Sequence, residues 1–326
     1  MIEVIQPGLE TSVQDFPGRL GGLEQGFPVS GPMDSWSFRL ANILLGNPEN
    51  AAGLECQFLG PTLRFTEDSV IAITGGDMAP KLDDSPIPAY ETVAVAAGQT
   101  LALSAAFLGA RAYIAVAGGI ATAEIQGSRA TFHMAGIGGV DRGALKGGQK
   151  IPVFKAEGKA GRYRVKKACR PPIHNNPTWE IEVVRGPNDD WIDDAGHETF
   201  FGNLWKVSAK SNRTGMRLDG PPITFSSKAT DKLPEHGEDP SNILDHGYPF
   251  GAINLAGQTP IILVNDGPSA GGFINPYTVP TAAFWKLAQS RPGQSYQFID
   301  VTVQQAQEQR RQQDEFCSSR SLESID

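Results

Sequence analysis

Glycine and proline interrupt this sequence so often that a long helix has nowhere to run. The 326 residues include 37 Gly and 24 Pro, well above the roughly 12% those two types usually take together. In a helix interior they cost about 1 and 3 kcal/mol, which disfavours a helical bundle. Disorder is disfavoured by the opposite argument: 40% of residues are hydrophobic and only 20% are charged, enough apolar surface to drive burial. The Gly and Pro residues then belong in turns between many short strands. The length predicts two domains, each large enough for its own core.

Charge narrows the partners. The chain carries 28 basic and 36 acidic residues, a net −8. An acidic chain without a basic stripe argues against nucleic acid and against an anionic membrane surface. The N-terminal Met1-Ile2-Glu3-Val4-Ile5-Gln6 lacks the basic and apolar regions of a signal peptide. Residues 92–110 hold no charge, but Gly98-Gln99-Thr100 interrupts them. Val93, Val95, Leu101 and Leu103 alternate with small or polar residues, as two strands joined by a turn would. Three Cys, at 56, 169 and 317, form no CxxC. They predict neither a disulfide framework nor a metal site, and they fit a reducing, cytoplasmic setting.

One helix is expected early, where Met33, Trp36, Leu40, Ile43 and Leu44 recur at helical spacing before Gly46. Strands are predicted at Leu63–Phe65, Val70–Thr74, Val93–Val95, Leu101–Leu103, Ala112–Val116 and Ile151–Phe154. A basic run follows (Lys155, Lys159, Arg162, Arg164, Lys166, Lys167, Arg170), then Pro171-Pro172, which reads as a solvated linker. Beyond it, strands are predicted at Trp179–Arg185, Trp205–Val207, Met216–Leu218, Ile223–Phe225, Ile253–Leu255, Ile261–Val264 and Ser295–Val301, with a helix over Thr281–Gln289. Residues 304–315 are polar all round and predict a solvated helix or tail. The expected division is therefore 1–165, 166–301 and a polar tail, 302–326. The halves echo each other: Leu59–Phe65 resembles Asp219–Phe225, and an Ala/Pro-Gly-Gln turn precedes a strand at 97–99 and at 292–294.

Several motifs have bland readings that outweigh the sharp ones. Gly267-Pro268-Ser269-Ala270-Gly271 spells G-x-S-x-G after a predicted strand. Every His lies upstream of Ser269, whereas that hydrolase triad needs its His downstream. A glycine-lined turn where backbone approaches a ligand is the better reading. Asp189-Asp190-Trp191-Ile192-Asp193 spells DDxxD, with Asp194, His197 and Glu198 close by. Acidic residues at a helix start are stabilised by its dipole without a metal. Gly136-Ile137-Gly138-Gly139-Val140-Asp141 begins like a dinucleotide loop, but Asp141 stands where the third Gly belongs. Two blocks are harder to explain by architecture. One is Ser211-Asn212-Arg213-Thr214-Gly215-Met216-Arg217-Leu218; the other is Asp239-Pro240-Ser241-Asn242-Ile243. Guanidinium donors such as Arg213 and Arg217 suit a carboxylate or a developing oxyanion.

At these blocks the chain resembles a known family. Val13-Gln14-Asp15-Phe16-Pro17-Gly18-Arg19, Pro28-Val29-Ser30-Gly31-Pro32-Met33-Asp34 and Arg39-Leu40-Ala41-Asn42 are similar to the N-terminal signature of the biotin-dependent carboxyltransferases. That family includes allophanate hydrolase subunit 2, the C subunit of 5-oxoprolinase and the carboxyltransferase domain of urea carboxylase. Gly109–Tyr113, Gly118-Gly119-Ile120 and Gly127–Phe132 fit it too. Ser211–Leu218, Pro240–Ile243, Asp266–Phe273 and Trp285-Lys286-Leu287 resemble the urea carboxylase branch. Two positions depart: Val140-Asp141-Arg142-Gly143 replaces a His followed by Gly-Arg, and Asp239 replaces a His.

The resemblance implies a mainly β protein of two cyclophilin-like β-barrel domains with a few short helices. It implies carboxyl transfer from carboxybiotin to urea or a similar small amide-like acceptor. Asn212, Arg213 and Asp266 become the expected catalytic residues, and Arg217, Ser241, Asn242, Gly267, Ser269, Gly271 and Gly272 the expected substrate-binding ones. Biotin would arrive on a separate carrier, because none of the five Met neighbours a Lys, and the absence of a P-loop places the ATP-dependent biotin carboxylase elsewhere too. The expected partners are a smaller subunit resembling allophanate hydrolase subunit 1, a biotin carboxyl carrier and a biotin carboxylase, with no metal bound by this chain. The alternatives are the C subunit of a 5-oxoprolinase and a non-catalytic regulatory binder, like family members named for antagonising a kinase inhibitor.

Overall fold

The structure, a computed structural model, describes residues 1–156 and 161–325; Lys159 of the basic run lies outside them. The chain divides into two compact units. One comprises Met1–Gly22, Val29–Asn175 and Gln312–Asp326, the other Leu23–Pro28 and Asn176–Arg311.

The first unit holds two antiparallel sheets. Five strands run in the order Glu10–Gln14, Gly53–Gln57, Leu108–Val116, Ser69–Asp77, Thr92–Val95. Six run in the order Lys150–Ile151, Ile2–Gln6, Thr62–Phe65, Thr100–Ala102, Lys81–Leu82, Ser85–Pro86. Alternation builds the core: Val13, Leu54, Cys56, Ile71, Ile73, Ala112, Ile114 and Val116 join Ile2, Val4, Leu63, Phe65, Leu101 and Ile151 in one buried cluster. The other face of the five-stranded sheet is polar yet also buried, carrying Glu55, Arg111 and Tyr113. Helix Ser35–Leu44 lies on it, with Phe38 edge-on to Tyr113 at 5.9 Å and Thr74 Oγ1 donating to the Ser37 carbonyl at 2.7 Å. Glu55 Oε2 accepts from the Met33 N–H (2.8 Å) and from the Tyr113 hydroxyl (2.9 Å), so its buried carboxylate is held by donors from the helix side and from the sheet. Gly53–Gln57 is hard to see in sequence because it is buried on both faces while carrying Glu and Gln.

The second unit contains a closed barrel of seven strands, ordered Thr178–Arg185, Tyr277–Thr278, Ala252–Ala256, Thr259–Leu263, Gly215–Asp219, Trp205–Val207, Ser295–Asp300. The first and last strands close it in parallel; the other neighbours are antiparallel. Its core is aromatic. Phe200, from helix Asp194–Gly202, stacks on Tyr277 (3.9 Å) and Phe298 (4.4 Å). A two-stranded ribbon, Asn242–Gly247 with Ala270–Phe273, stands beside the barrel.

Proline explains two departures from the expected strands. Ile223–Phe225 forms only an isolated bridge from Phe225 to Ile192, since Pro221 and Pro222 supply no N–H groups to a ladder. The strand expected at Ile151–Phe154 stops at Ile151, before Pro152. The uncharged stretch 92–110 is strand, turn and strand, and no described helix is long and apolar enough to cross a membrane.

The two Gly-Gln turns are alike. Gln99 and Gln294 each accept, through Oε1, the N–H three residues earlier (2.8 and 2.7 Å), with Gly98 and Gly293 at positive φ. A third copy is Lys146–Gln149, where Lys146 N donates to Gln149 Oε1 at 2.6 Å. Each precedes a strand.

The basic run and the polar C-terminal segment are packed. Tyr163–Val165 pairs with Leu322–Ser324, and the Arg170 guanidinium lies 4.8 Å over the Tyr90 ring. Residues Val303–Phe316 are helical. In the last turn Gln313 is buried and Phe316 stacks on Trp36 at 5.5 Å.

Candidate functional site

Asn212 and Arg213 divide the labour of one turn. Asn212 is exposed, and its Oδ1 accepts the N–H groups of Thr214 (2.8 Å) and Gly215 (3.3 Å). That Asx turn uses the carbonyl and leaves Nδ2 as a donor. Arg213 is buried against Asp266, with Nε 2.9 Å from Oδ2 and Nη2 3.3 Å from Oδ1. Their side chains are 4% and 3% exposed. The backbone doubles the link, because Asp266 N donates to the Arg213 carbonyl at 2.8 Å. Gly267 lies against the same turn: a Cβ there would meet the Thr214 carbonyl at 2.9 Å.

Ser269 connects this pair of loops to the ribbon. Its carbonyl accepts the Tyr248 N–H (2.8 Å), while its hydroxyl donates to the Leu23 carbonyl (3.2 Å) and so is engaged by backbone, not by an imidazole. Tyr248 packs on Ala252 and Leu263. A Cβ on Gly271 would lie 2.8 Å from the Tyr248 hydroxyl, and one on Gly272 would lie 3.0 Å from the Ile243 carbonyl. Both glycines therefore have a reason within the protein: they admit the phenol and the facing strand.

Ser241 and Asn242 stand at the other end of the ribbon. Ser241 is fully buried, and its hydroxyl donates to Asp239 Oδ1 (2.7 Å) and accepts from Gly257 N (2.9 Å). With its hydrogen bonds used, Ser241 holds the loop and leaves ligand contact to its neighbours. Asp239, where the resembling branch has a His, accepts the Ser241 N–H as well (2.8 Å), and these bonds hold its pKa below the ordinary carboxylate value. Asn242 opens the ribbon opposite Phe273. Arg217 is exposed on Gly215–Asp219. The structure thus joins Asn212, Arg213, Asp266 and Gly267 through direct contacts, joins Ser269 and Gly271 through Tyr248, and places Ser241 and Arg217 in neither group.

Two residues give little sign of themselves in the sequence. Lys232 donates to the carbonyls of Asn242 (2.8 Å) and Asp239, and burial lowers its pKa, offset by Asp239. Nothing in the local sequence distinguishes it from a surface lysine. Tyr248, an aromatic between charged Asp245 and Pro249, is the more legible of the two.

The other motifs resolve into architecture. Asp193 caps helix Asp194–Gly202 through Gly196 N (2.7 Å), and His197 Nδ1 meets the Tyr277 hydroxyl at 2.7 Å. Among the described residues no three His, Cys, Asp or Glu side chains come close enough to share a metal ion. Gly138 passes so near Ala130 that a Cβ would lie 2.0 Å from its carbonyl, which explains the Gly136–Gly139 run by packing. The N-terminal signature is structural too. Asp34 caps the first helix through Ser37 N (2.9 Å), and fully buried Arg19 donates to the Ile125 and Ala130 carbonyls. Burial raises the pKa of Asp15, partly offset by hydrogen bonds from Ser128 and Arg129.

Comparison with known proteins agrees with this picture. Residues 25–300 match the family described as carboxyltransferase domain, subdomain A and B. The chain is 40% identical over 322 residues to the urea amidolyase of Lachancea kluyveri, covering 96% of this chain and 17% of that protein. It is 32% identical over 318 residues to the C subunit of 5-oxoprolinase from Escherichia coli, covering 97% of this chain and 96% of that one. The crystal structure of Kluyveromyces lactis urea carboxylase superposes with a TM-score of 0.90 at 38% identity, over 100% of this chain and 30% of that one. The chain belongs to the carboxyltransferase domain, subdomain A and B, family.

Proposed function

We propose that this chain is the carboxyltransferase component of a biotin-dependent carboxylase that acts on urea or a similar small amide-like acceptor, in partnership with a smaller subunit or domain. The observation that carries the reading is the gradient of identity, 40% to a urea amidolyase against 32% to the C subunit of a 5-oxoprolinase. A biotin carboxyl carrier and a biotin carboxylase complete the system, and three free thiols suit a cytoplasmic setting.

The residues suit a ureido ligand, which presents one carbonyl oxygen and N–H groups. Asn212 Nδ2 and the exposed Arg217 guanidinium are donors for a carbonyl oxygen. Carboxybiotin, when bound, supplies an activated carboxyl group on a ureido nitrogen. The buried Arg213–Asp266 pair holds the turns bearing Asn212 and Gly267 in a fixed relation, so the donors need no reorganisation when charge develops. Ser269, Gly271, Gly272 and Asn242 line the ribbon that closes over the ligand and keeps water from the reactive carboxyl. Ser241, tied to Asp239 and Gly257, positions Asn242.

Reconstitution with the smaller partner, the carrier and the biotin carboxylase tests this: bicarbonate fixation should require ATP, carrier and urea together. Cleavage of 5-oxoproline with ATP and no response to urea would overturn it. That second reading is favoured by one observation, the end-to-end match to the C subunit of 5-oxoprolinase. A complex inert towards both substrates would instead favour the regulatory binder.

A further inference from the structure

Tyr248 has one more hydrogen-bonding capacity than its surroundings use. The residue is 9% exposed, and its hydroxyl oxygen accepts the Phe273 N–H at 2.7 Å. Among the described residues, no acceptor for its own proton lies within hydrogen-bond distance. Buried tyrosine hydroxyls usually find partners for both functions, and an oxygen that already accepts is polarised into a better donor. The phenol is also held in place. Its backbone N–H is bonded to Ser269, its ring packs on Ala252 and Leu263, and the His246 ring meets it edge-on at 5.1 Å. Only glycine at 271 admits the hydroxyl, since a Cβ would lie 2.8 Å away. Burial raises the phenol's pKa above its ordinary 10.0, so it stays protonated near neutral pH.

We propose that Tyr248 contacts the ligand of this site, donating its O–H to the carbonyl oxygen of a ureido group lying against the Ser269–Gly272 edge of the ribbon. The inference rests on the carboxyltransferase reading above. A neutral carbonyl suits the position better than an anion, because Asp245 is close enough to raise the phenol's pKa further and Gly272 lies beside its carboxylate. Urea and the biotin ring both present that carbonyl, and the experiment separates them.

The test compares wild type with Tyr248→Phe in the assembled complex. Steady-state rates are measured with urea varied at saturating carrier, then with carrier varied at saturating urea. Losing one donor to a developing oxyanion should lower kcat about 100-fold, a loss both arms share because they pass through the same transition state. The assignment comes from binding: a raised KM for urea marks the acceptor's carbonyl, and a raised KM for the carrier marks biotin's. Calorimetric titration of the same complexes with urea and with free biotin gives a readout independent of turnover. The ligand that uses Tyr248 should bind the variant about tenfold more weakly. Tyr248→Phe also strips the Phe273 N–H of its acceptor, so Gly271→Ala is the second variant. It displaces the ring and its hydroxyl without removing either, since a Cβ would also lie 2.9 Å from the ring, and it should weaken binding of the same ligand as Tyr248→Phe does. Unchanged rates and affinities, or a loss of turnover that comes with a lowered Tm and weakens the binding of neither ligand, would overturn the proposal. If wild type itself fixes no carboxyl onto urea, the carboxyltransferase reading fails, and this inference with it. If wild type is active and the variant matches it, only the role of Tyr248 fails.

Discussion

Arg213 and Asp266 depend on each other because both have left the water. Each side chain is less than one-twentieth exposed, and two parallel N–H···O contacts join them. Removing one partner from such a pair leaves the other charge buried alone, at a cost of about 3–5 kcal/mol. Asp266→Asn should therefore lower the denaturant midpoint markedly, read by circular dichroism, before any question of catalysis arises. Asn212 calls for a different substitution. Asn212→Ala would remove both the turn acceptor and the free donor, whereas Asn212→Asp keeps the Oδ1 that Thr214 and Gly215 use and removes only Nδ2. On the proposed role, Asn212→Asp should lose turnover by about tenfold or more and keep the wild-type melting curve. The sequence could single out both residues, since an Asn-Arg pair between two strands has little architectural reason to recur. It could not reveal that Arg213 spends its fork on a carboxylate 53 positions away. Nor could it show that Ser241 is sealed by Asp239, because hydroxyls that bind ligands and hydroxyls that close turns look the same in a sequence.

Elements are legible where periodicity and punctuation agree. The helix Ser35–Leu44 and the strands Thr178–Arg185 and Ser295–Asp300 emerge from apolar spacing alone. The ribbon Asn242–Gly247 with Ala270–Phe273 does not, for Asp245, His246, Gly271 and Gly272 give it no apolar alternation. It pairs through backbone and is fixed by one phenol. The acidic Asp189–Asp194 cluster is likewise an element boundary. Asp193 accepts from Gly196 N and from the Thr224 hydroxyl, and these bonds, led by Thr224, lower its pKa below 3.8. Its contribution is complete above about pH 3.8, the unfolded value, and is lost as pH falls through the lower folded value. Asp193→Ala should remove about 1 kcal/mol at neutral pH, measured by urea denaturation. The variant should then show a smaller stability loss than wild type on acidification. The three Gly-Gln turns show a related economy, since the same side-chain bond closes Ala96–Gln99, Lys146–Gln149 and Arg291–Gln294 before three different strands.

Across the whole molecule, sequence order and spatial order part company. Leu23–Pro28 belongs with the barrel although it is flanked by first-unit residues, and Gln312–Asp326 belongs with the first unit although the barrel precedes it. The attachment of the later segment is specific: Arg39 lies between Glu49 (2.7 Å) and Asp314 (2.5 Å), Trp36 stacks on Phe316, and Leu322–Ser324 extends Tyr163–Val165. Burial pushes the Cys317 thiol up to about 12, so it stays protonated beside the Trp36 carbonyl. Truncation after Arg311 should lower the thermal stability of the first unit while leaving the barrel's transition in place, which calorimetry would resolve as two separated peaks. A ribosome delivers this chain at about 5–20 residues per second, and domains ordinarily fold as they emerge. Here the N-terminal unit must wait for its last strand and for the partners of Arg39 and Trp36 until the barrel has been made. Its indole and guanidinium stay uncovered through the whole synthesis of the barrel, an interval in which a nascent chain is open to chaperones and to misassembly with its neighbours.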